Sequence, residues 1–341
     1  MRLRTAASSV LAAALVGLAL APSATAAPPA PDATPIDSAA ADAYDVWRLA
    51  GANRYDTAVA VSEVYPDGAP AVFIASGEGF PDALSAAAAA AYLSSPLLLT
   101  RRDALPENAV AEIARHRPQT IVVVGGEGTI SNAVLDQLSA LAPEVHRVAG
   151  PNRYATSLAV AEAVFGDTGA AYVASGRDFP DALAATGAAG AVDAPVVLVD
   201  GQSNAPTSET VAALDLLGVE TVYIAGAAGS VTPAFETALQ TAGFTTDRRG
   251  GADRYATAVA VNRDFENTRV SAVFLAGGAD FPDALAAGAL AGTFGAPLYL
   301  TRQQCAPLPV VEAITSITSL GHIAVGGTAS ISDNAATLGA C

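Results

Sequence analysis

Lysine is absent from this 341-residue chain, so all 17 side chains counted as Lys or Arg are arginines. Against 33 acidic residues they leave a formal charge of −16 at pH 7. A surface of that sign repels nucleic acid and excludes a generic, charge-driven attraction to anionic polymers. A site for such a polymer would need arginines gathered in one place. Histidine occurs only three times, as His116, His146 and His322. They form neither an H-E-x-x-H pattern nor a close pair, so the three protein ligands of a catalytic zinc cannot be assembled. No metal, cofactor or catalytic residue is expected, and the chain reads as no enzyme.

Long hydrophobic runs are also missing. A bilayer-spanning helix needs roughly twenty apolar residues. The run from about Val10 to Ala21 is about a dozen long, preceded by Arg2 and Arg4 and followed by Ala24-Thr25-Ala26. That order reads as a secretory signal peptide over residues 1–26, cut after Ala26. Cleavage removes two arginines and no acid, which takes the formal charge from −16 to −18 on 315 residues. No cysteine stands at the new N-terminus and no apolar tail ends the chain, so neither a lipid anchor nor a membrane partner is expected. The expected location is extracellular, and any retention at the cell surface must be non-covalent. Residues 27–45 are a Pro/Ala-rich leader, and APPAPDATPIDSAA over 27–40 has no apolar period and reads as flexible. The two cysteines, Cys305 and Cys341, read as one disulfide in an exported protein, worth about 3–4 kcal/mol for a loop of that length.

What the sequence has in abundance is itself. RLAGANRY at 48–55 returns as RVAGPNRY at 147–154 and as RGGADRY at 249–255. FPDAL at 80–84 returns at 179–183 and 281–285, and PLLLT at 96–100 returns as PVVLV at 195–199 and PLYLT at 297–301. A period near one hundred residues is the size of a small domain, too long for a solenoid unit. The repeats are set at 46–144, 145–246 and 247–341. Within each, apolar strand runs bounded by Gly and Pro alternate with helical patterns. In the first copy, strands at 46–50, 71–76, 96–100 and around TIVVVG alternate with helices from about Arg54, Pro81, Pro106 and Ser131. Such alternation means a parallel sheet covered on both faces, hence an α/β fold of three small, doubly wound units. Similar apolar faces predict packing about a pseudo-threefold axis, with the PLLL-type strands near it.

The recurring polar residues are few. Asn53, Asn152 and Asp253 precede a helix and can cap it with a side-chain oxygen. Arg54, Arg153 and Arg254 follow in the first turn, where the helix dipole disfavours a cation. Each therefore wants a partner, either a carboxylate or a ligand anion. Asp82, Asp181 and Asp283 of FPDAL supply a carboxylate after a buried strand, where parallel sheets place their ligand crevice. One reading pairs each Arg with the Asp of its own unit. The other lets Arg and Asp line a saccharide groove. Glycines after the strand in VVVGGEGTIS drift between copies and do not make G-x-G-x-x-G; tight turns and capping by Ser131 or Thr232 explain them better than a nucleotide. Ser76 and Ser175 follow a strand, but the third copy has Gly277 there, so a nucleophile elbow is not supported.

Taken jointly, G-x-N/D-R-Y, F-P-D-A-L, P-h-L-L-T and h-h-G-G, three times over, closely resemble the type 2 cell wall-binding repeat of Gram-positive bacteria. The resemblance covers residues 46–341. It implies three Rossmann-like or Toprim-like units in a pseudo-trimer. It also implies non-covalent attachment to a secondary wall polymer, including anionic ones, or to a peptidoglycan-linked glycan. By motif match it carries over Arg54, Arg153, Arg254, Asp82, Asp181 and Asp283 as polymer-binding candidates, and Pro96, Pro195 and Pro297 as the central strand motif. Two departures stand out: Leu49-Ala50 set against Gly250-Gly251, and Val-Val-Leu-Val in the second PLLLT. Alternatives of another class are a regulatory partner or modifier of a wall hydrolase, and a wall-active amidase.

Overall fold

The computed structural model describes residues 34–36 and 45–341. The signal peptide expected over 1–26 and most of the leader lie outside the described residues. Three four-stranded parallel sheets form the framework. The first holds β3 (Ala71–Ser76), β4 (Leu97–Thr100), β5 (Thr120–Val124) and β6 (Glu144–Val148), in the order β4-β3-β5-β6. The second holds β7 (Ala170–Ser175), β8 (Val196–Val199), β9 (Thr221–Ala225) and β10 (Thr245–Arg249), in the order β8-β7-β9-β10. The third holds β12 (Val273–Gly277), β13 (Leu298–Thr301) and β15 (Gly321–Val325), with β2 (Asp45–Leu49) beside β15. Strands such as Val-Phe-Ile-Ala are buried along their whole length, as sheets covered on both faces require.

The repeat boundaries do not coincide with the sheets. β6 opens the second repeat in sequence yet completes the first sheet, and β10 does the same for the second. The third sheet is completed instead by β2, which precedes the first sheet in the chain, with Ala324 paired to Arg48 and Val325 to Leu49. The three units thus close into a ring. Part of the leader expected to be flexible joins this closure: β1 (Thr34–Pro35) pairs antiparallel with β2, and Ile36 N–H donates to Val46 C=O at 2.8 Å. A short parallel pair, β11 (Arg269–Val270) with β14 (Thr318–Ser319), lies outside the three sheets.

The expected pseudo-threefold arrangement is present, but its axis is lined differently. The helices after FP occupy the centre: α2 (Pro81–Tyr92), α6 (Pro180–Gly190) and α10 (Pro282–Thr293) pack on one another. Their Ala-rich surfaces are buried nearly throughout. Small side chains allow backbone-to-backbone approach, and a Cβ added at Gly190 would sit 2.4 Å from the Gly292 Cα. At the N-terminal ends of these helices Phe80, Phe179 and Phe281 form a closed triangle with ring centroids 5.7–6.0 Å apart. The PLLL-type strands lie one layer out, as the edge strands β4, β8 and β13. Thin helices can fill a threefold axis from all sides; a sheet edge cannot without leaving its backbone groups unpaired.

Cys305 and Cys341 are bonded, with Cα atoms 5.3 Å apart. The bond fixes the chain end beside Ala306, whose N–H and C=O bond Gly339 and Cys341.

Candidate functional site

In each parallel sheet the chain crosses from one side to the other between the strand before FPDAL and the strand before h-h-G-G (β3 and β5, β7 and β9, β12 and β15), and the carboxyl ends of such a pair are where a crevice forms. FPDAL follows the former strand, and the glycine of h-h-G-G follows the latter. They meet. Asp82, Asp181 and Asp283 lie against Gly125, Gly226 and Gly326, each with φ between +114° and +125°. A Cβ on Gly226 would stand 2.5 Å from Asp181 Oδ2, so only glycine admits both the conformation and the carboxylate. The drifting glycines of the sequence therefore have one fixed member, whose task is to make room for the acid.

A hydroxyl completes the contact. Ser230 Oγ donates to Asp181 Oδ2 at 2.5 Å and Ser330 Oγ to Asp283 Oδ2 at 2.7 Å, while Thr129 serves Asp82. Thr156 and Thr257, each four residues after the capping Asn or Asp, add a second hydroxyl to Asp82 and Asp181. All three aspartates are half-buried. Burial pushes the carboxyls of Asp82 and Asp181 up, against these hydroxyls and a neighbouring arginine. A raised carboxyl opposes stability at neutral pH, and perturbed groups of this kind gather at functional crevices.

Asn53, Asn152 and Asp253 cap the helices α1 (Arg54–Ser62), α5 (Arg153–Val164) and α9 (Arg254–Val261), each accepting from two backbone N–H groups. The arginines that follow do not pair with the aspartate of their own unit. Arg54, Arg153 and Arg254 each donate Nη1 to a backbone carbonyl of that unit, Gly77, Gly176 or Gly278, at 2.6 Å. Their guanidinium planes lie over the phenylalanine of the preceding unit: Arg153 over Phe80 at 5.6 Å, Arg254 over Phe179 at 5.4 Å, Arg54 over Phe281 at 5.7 Å. Their charge reaches the preceding unit's acid, Arg153 acting on Asp82 and Arg254 on Asp181. The site is therefore shared between neighbouring units, and the arginines join them around the ring. Pro96, Pro195 and Pro297 precede the edge strands, where each proline carbonyl accepts from the neighbouring strand (Phe73, Tyr172, Phe274). They lie away from these carboxylates along the chain and have a structural task.

A crevice at the second sheet holds about 400 Å³. Ser175, Arg177, Asp178 and Asp181 line it from one unit, and Asp253, Arg254 and Thr257 from the start of the next repeat.

Sequence reading missed a second set of arginines. Arg48, Arg147 and Arg248 each donate Nη1 to the carbonyl of the fixed glycine, Gly326, Gly125 and Gly226, at 2.5, 2.7 and 3.1 Å. This corrects the repeat register. Arg248 is the counterpart of Arg48, so Leu49 and Val148 stand against Arg249, and Ala50 against Gly250. The extra arginine is buried, with Tyr172 Oη at 3.2 Å, Asp264 at 2.6 Å and the Tyr223 ring centroid at 4.1 Å. Thr232 caps its helix as expected; Ser131 holds the same position without bonding its side chain there. His116 is buried against Ser62, Glu112 and Arg115, whereas His146 lies near Glu144 on the outside. Burial lowers His322 to about 4. Among the described residues no group of three His, Cys, Asp or Glu gathers to hold a metal ion.

Solved structures of Cwp6 and Cwp8 from Clostridium difficile share this architecture. They match with TM-scores of 0.77 and 0.76 at 27% identity, over 86% and 84% of this chain and 48% and 50% of theirs. Two proteins of Bacillus subtilis strain 168 are each 28% identical. The N-acetylmuramoyl-L-alanine amidase LytC matches over 85% of this chain and 57% of its own length, and the amidase enhancer over 84% and 39%. The chain thus spans about half the length of its relatives or less. Residues 48–135, 147–236 and 248–336 each match one family, and the three stretches fall on the three units of the ring. With most of its length so matched, the chain belongs to the Cell wall binding domain 2 (CWB2) family.

Proposed function

We propose that this protein is an exported, non-catalytic wall-binding protein that attaches non-covalently to a wall polymer through clefts between its units. The polymer is a secondary wall polymer or a peptidoglycan-linked glycan. The observation that carries the reading is the threefold constellation of a half-buried aspartate, a hydroxyl, a fixed glycine and an arginine reaching from the next unit. It stands at the carboxyl ends of parallel strands, where such sheets take their ligands. Three weak sites along one polymer raise avidity without a single tight contact. The test is co-sedimentation with purified Gram-positive walls, before and after removal of their secondary polymers. Arg153→Gln gives up one carbonyl hydrogen bond, so a loss of about 1 kcal/mol of stability is expected, with sedimentation reduced well below that of equally folded wild type. A folded triple variant of Arg54, Arg153 and Arg254 that still sediments fully overturns the site assignment.

The matches to an amidase and to an amidase enhancer favour a second reading, in which the chain acts with a wall hydrolase. Pull-down on walls stripped of protein separates glycan binding from protein binding. Zymography on walls, with and without chelator, tests for an amidase activity of the chain itself.

A further inference from the structure

The cleft at the second sheet is not cationic. Its lining carries two guanidiniums, Arg177 and Arg254, against three carboxylates, Asp178, Asp181 and Asp253. One of the two guanidiniums is already neutralised: Arg177 grips Asp200 in a bidentate pair at 2.8 and 3.1 Å. Arg254 spends one nitrogen on the Gly278 carbonyl, and another stands 4.0 Å from Asp178. On a chain of formal charge −16, this cleft repels a polymer that is only anionic.

The excess of acid is largest here. Gly79 stands in the first unit where Asp178 stands in the second and Asp280 in the third, and Asn152 and Asn53 cap at those clefts where Asp253 caps here. Asp253 is not required for capping, since Asn53 and Asn152 make the same two bonds. Asp178 accepts from the Phe179 N–H at 2.9 Å, while the charge of Asp253 is one that capping does not demand, and both carboxylates line this cleft. Its floor is Asp181, half-buried and held by Ser230.

We propose that this cleft reads a primary ammonium group on a saccharide unit that also carries an anion or hydroxyls. The ammonium sits among Asp178, Asp181 and Asp253, and Arg254 receives the anionic or hydroxyl oxygen. An ammonium offers three donors to acceptor-only carboxylates, and a desolvated carboxylate gains most from such a partner. The ligand of the second cleft is then an amino sugar or another amine-bearing polymer unit, bound as a zwitterion. This rests on the reading of the clefts as wall-polymer sites.

The test uses three defined probes on the full exported chain, followed by calorimetry or by NMR shifts: glucosamine 6-phosphate, N-acetylglucosamine 6-phosphate and glucose 6-phosphate. All three are anions, and only the first carries an ammonium. The expected result is saturable binding of glucosamine 6-phosphate at least tenfold tighter than of either other probe. In the double variant Asp178→Asn/Asp253→Asn, which keeps the helix cap, that preference should fall at least fivefold, with unchanged melting. Equal or tighter binding of the acetylated or amine-free sugar overturns the proposal, as does no saturable binding of glucosamine 6-phosphate. Wall co-sedimentation is scored separately. Intact sedimentation without an amine preference removes this inference and leaves wall binding. An amine preference without sedimentation removes wall binding alone.

Discussion

The first and third sheets hold equivalent strands in equivalent places but receive their last strand by different routes. In the first sheet β6 arrives through the helix α4 (Asn132–Leu138), so its position follows from chain continuity. In the third sheet the corresponding strand, β2, comes from the opposite end of the chain and is held only by non-covalent bonds. The bonds differ accordingly. Arg147 of β6 makes one strong carbonyl bond and a 3.4 Å contact with Asn132. Arg48 of β2 is buried, bonds Gly326 and closes an ion pair with Asp333 at 2.8 Å. An additional strand, β1, covers the far edge of β2, and the Cys305–Cys341 bond secures the chain end in the same unit. Where connectivity is missing, the ring is fastened by side chains, an edge strand and a disulfide.

The strongest way to break this comparison is to start the chain at Ala50. Losing β2 removes the buried Val46 and Leu49 and uncovers the edge of β15. Two such side chains contribute about 3–6 kcal/mol. Calorimetry should show the third unit melting ahead of the first two; a single transition at the wild-type temperature would contradict a fastening role for β2. Next in size is the disulfide. Replacing both Cys305 and Cys341 by serine should cost about 3–4 kcal/mol, and hydrogen exchange should rise first around residues 305–341 while the first sheet stays protected.

A pair of equivalent substitutions sharpens the contrast. Arg48→Ala leaves the buried Gly326 carbonyl and Asp333 without their partner in a strand that has no tether, for an expected loss of about 3 kcal/mol. Arg147→Ala removes the matching carbonyl bond from a tethered strand and should cost about 1 kcal/mol. Equal losses in urea melts would show that connectivity plays no part.

The smallest effects are those of pH, and they have opposite signs in different regions. Glu112, next to Arg115 and His116 in the first unit, is buried, but its hydrogen bonds to His116, Arg115 and Ser62 outweigh that and lower it to about 2. A lowered carboxyl stabilises above its unfolded value of 4.5 and loses that contribution as pH falls toward 2. The second unit has Ala213 and Leu217 at the places of Glu112 and His116, both buried, and carries no such dependence. Acid should therefore loosen the first unit before the second, as read by residue-resolved exchange. For Asp181 the folded value is raised, so its contribution is present below the unfolded value of 3.8 and is lost as pH rises through the folded one. Asp181→Asn should then melt above wild type at pH 7, and the gap should close on acidification; a gap constant with pH would contradict the burial of this carboxyl.

Much of this was legible in the chain. Internal recurrence marked the units, strand and helix periods fixed the elements to within one to three residues, and Asn53, Asn152 and Asp253 were readable as caps. Arg153 with Asp82 and Arg254 with Asp181 do come together, and Arg54 stands over Phe281, two residues before Asp283, in each case across units. That last point was hidden because recurrence aligns copies with one another and says nothing of which copy touches which. The hydroxyls Thr156 and Thr257 were also visible, since a threonine recurs at the same offset in all three copies as Thr57, Thr156 and Thr257. Arg48, Arg147 and Arg248 were obscured by a one-residue slip, caused by Arg248 and Arg249 being neighbours.

The sequence by itself determined the local choices: which segments are buried strands, where helices start, and that three alike units must bury alike faces. Those follow from apolar period, capping chemistry and repetition, all of which act over a few residues. Only the tertiary structure decided that the Ala-rich helices and not the PLLL strands fill the axis, that Arg153 and Arg254 act on the aspartate of the preceding unit, and that β2 completes the last sheet. These depend on closing a ring. Ring closure is set by how closely small side chains let α2, α6 and α10 approach, and by the need of β15 for a backbone partner along its free edge.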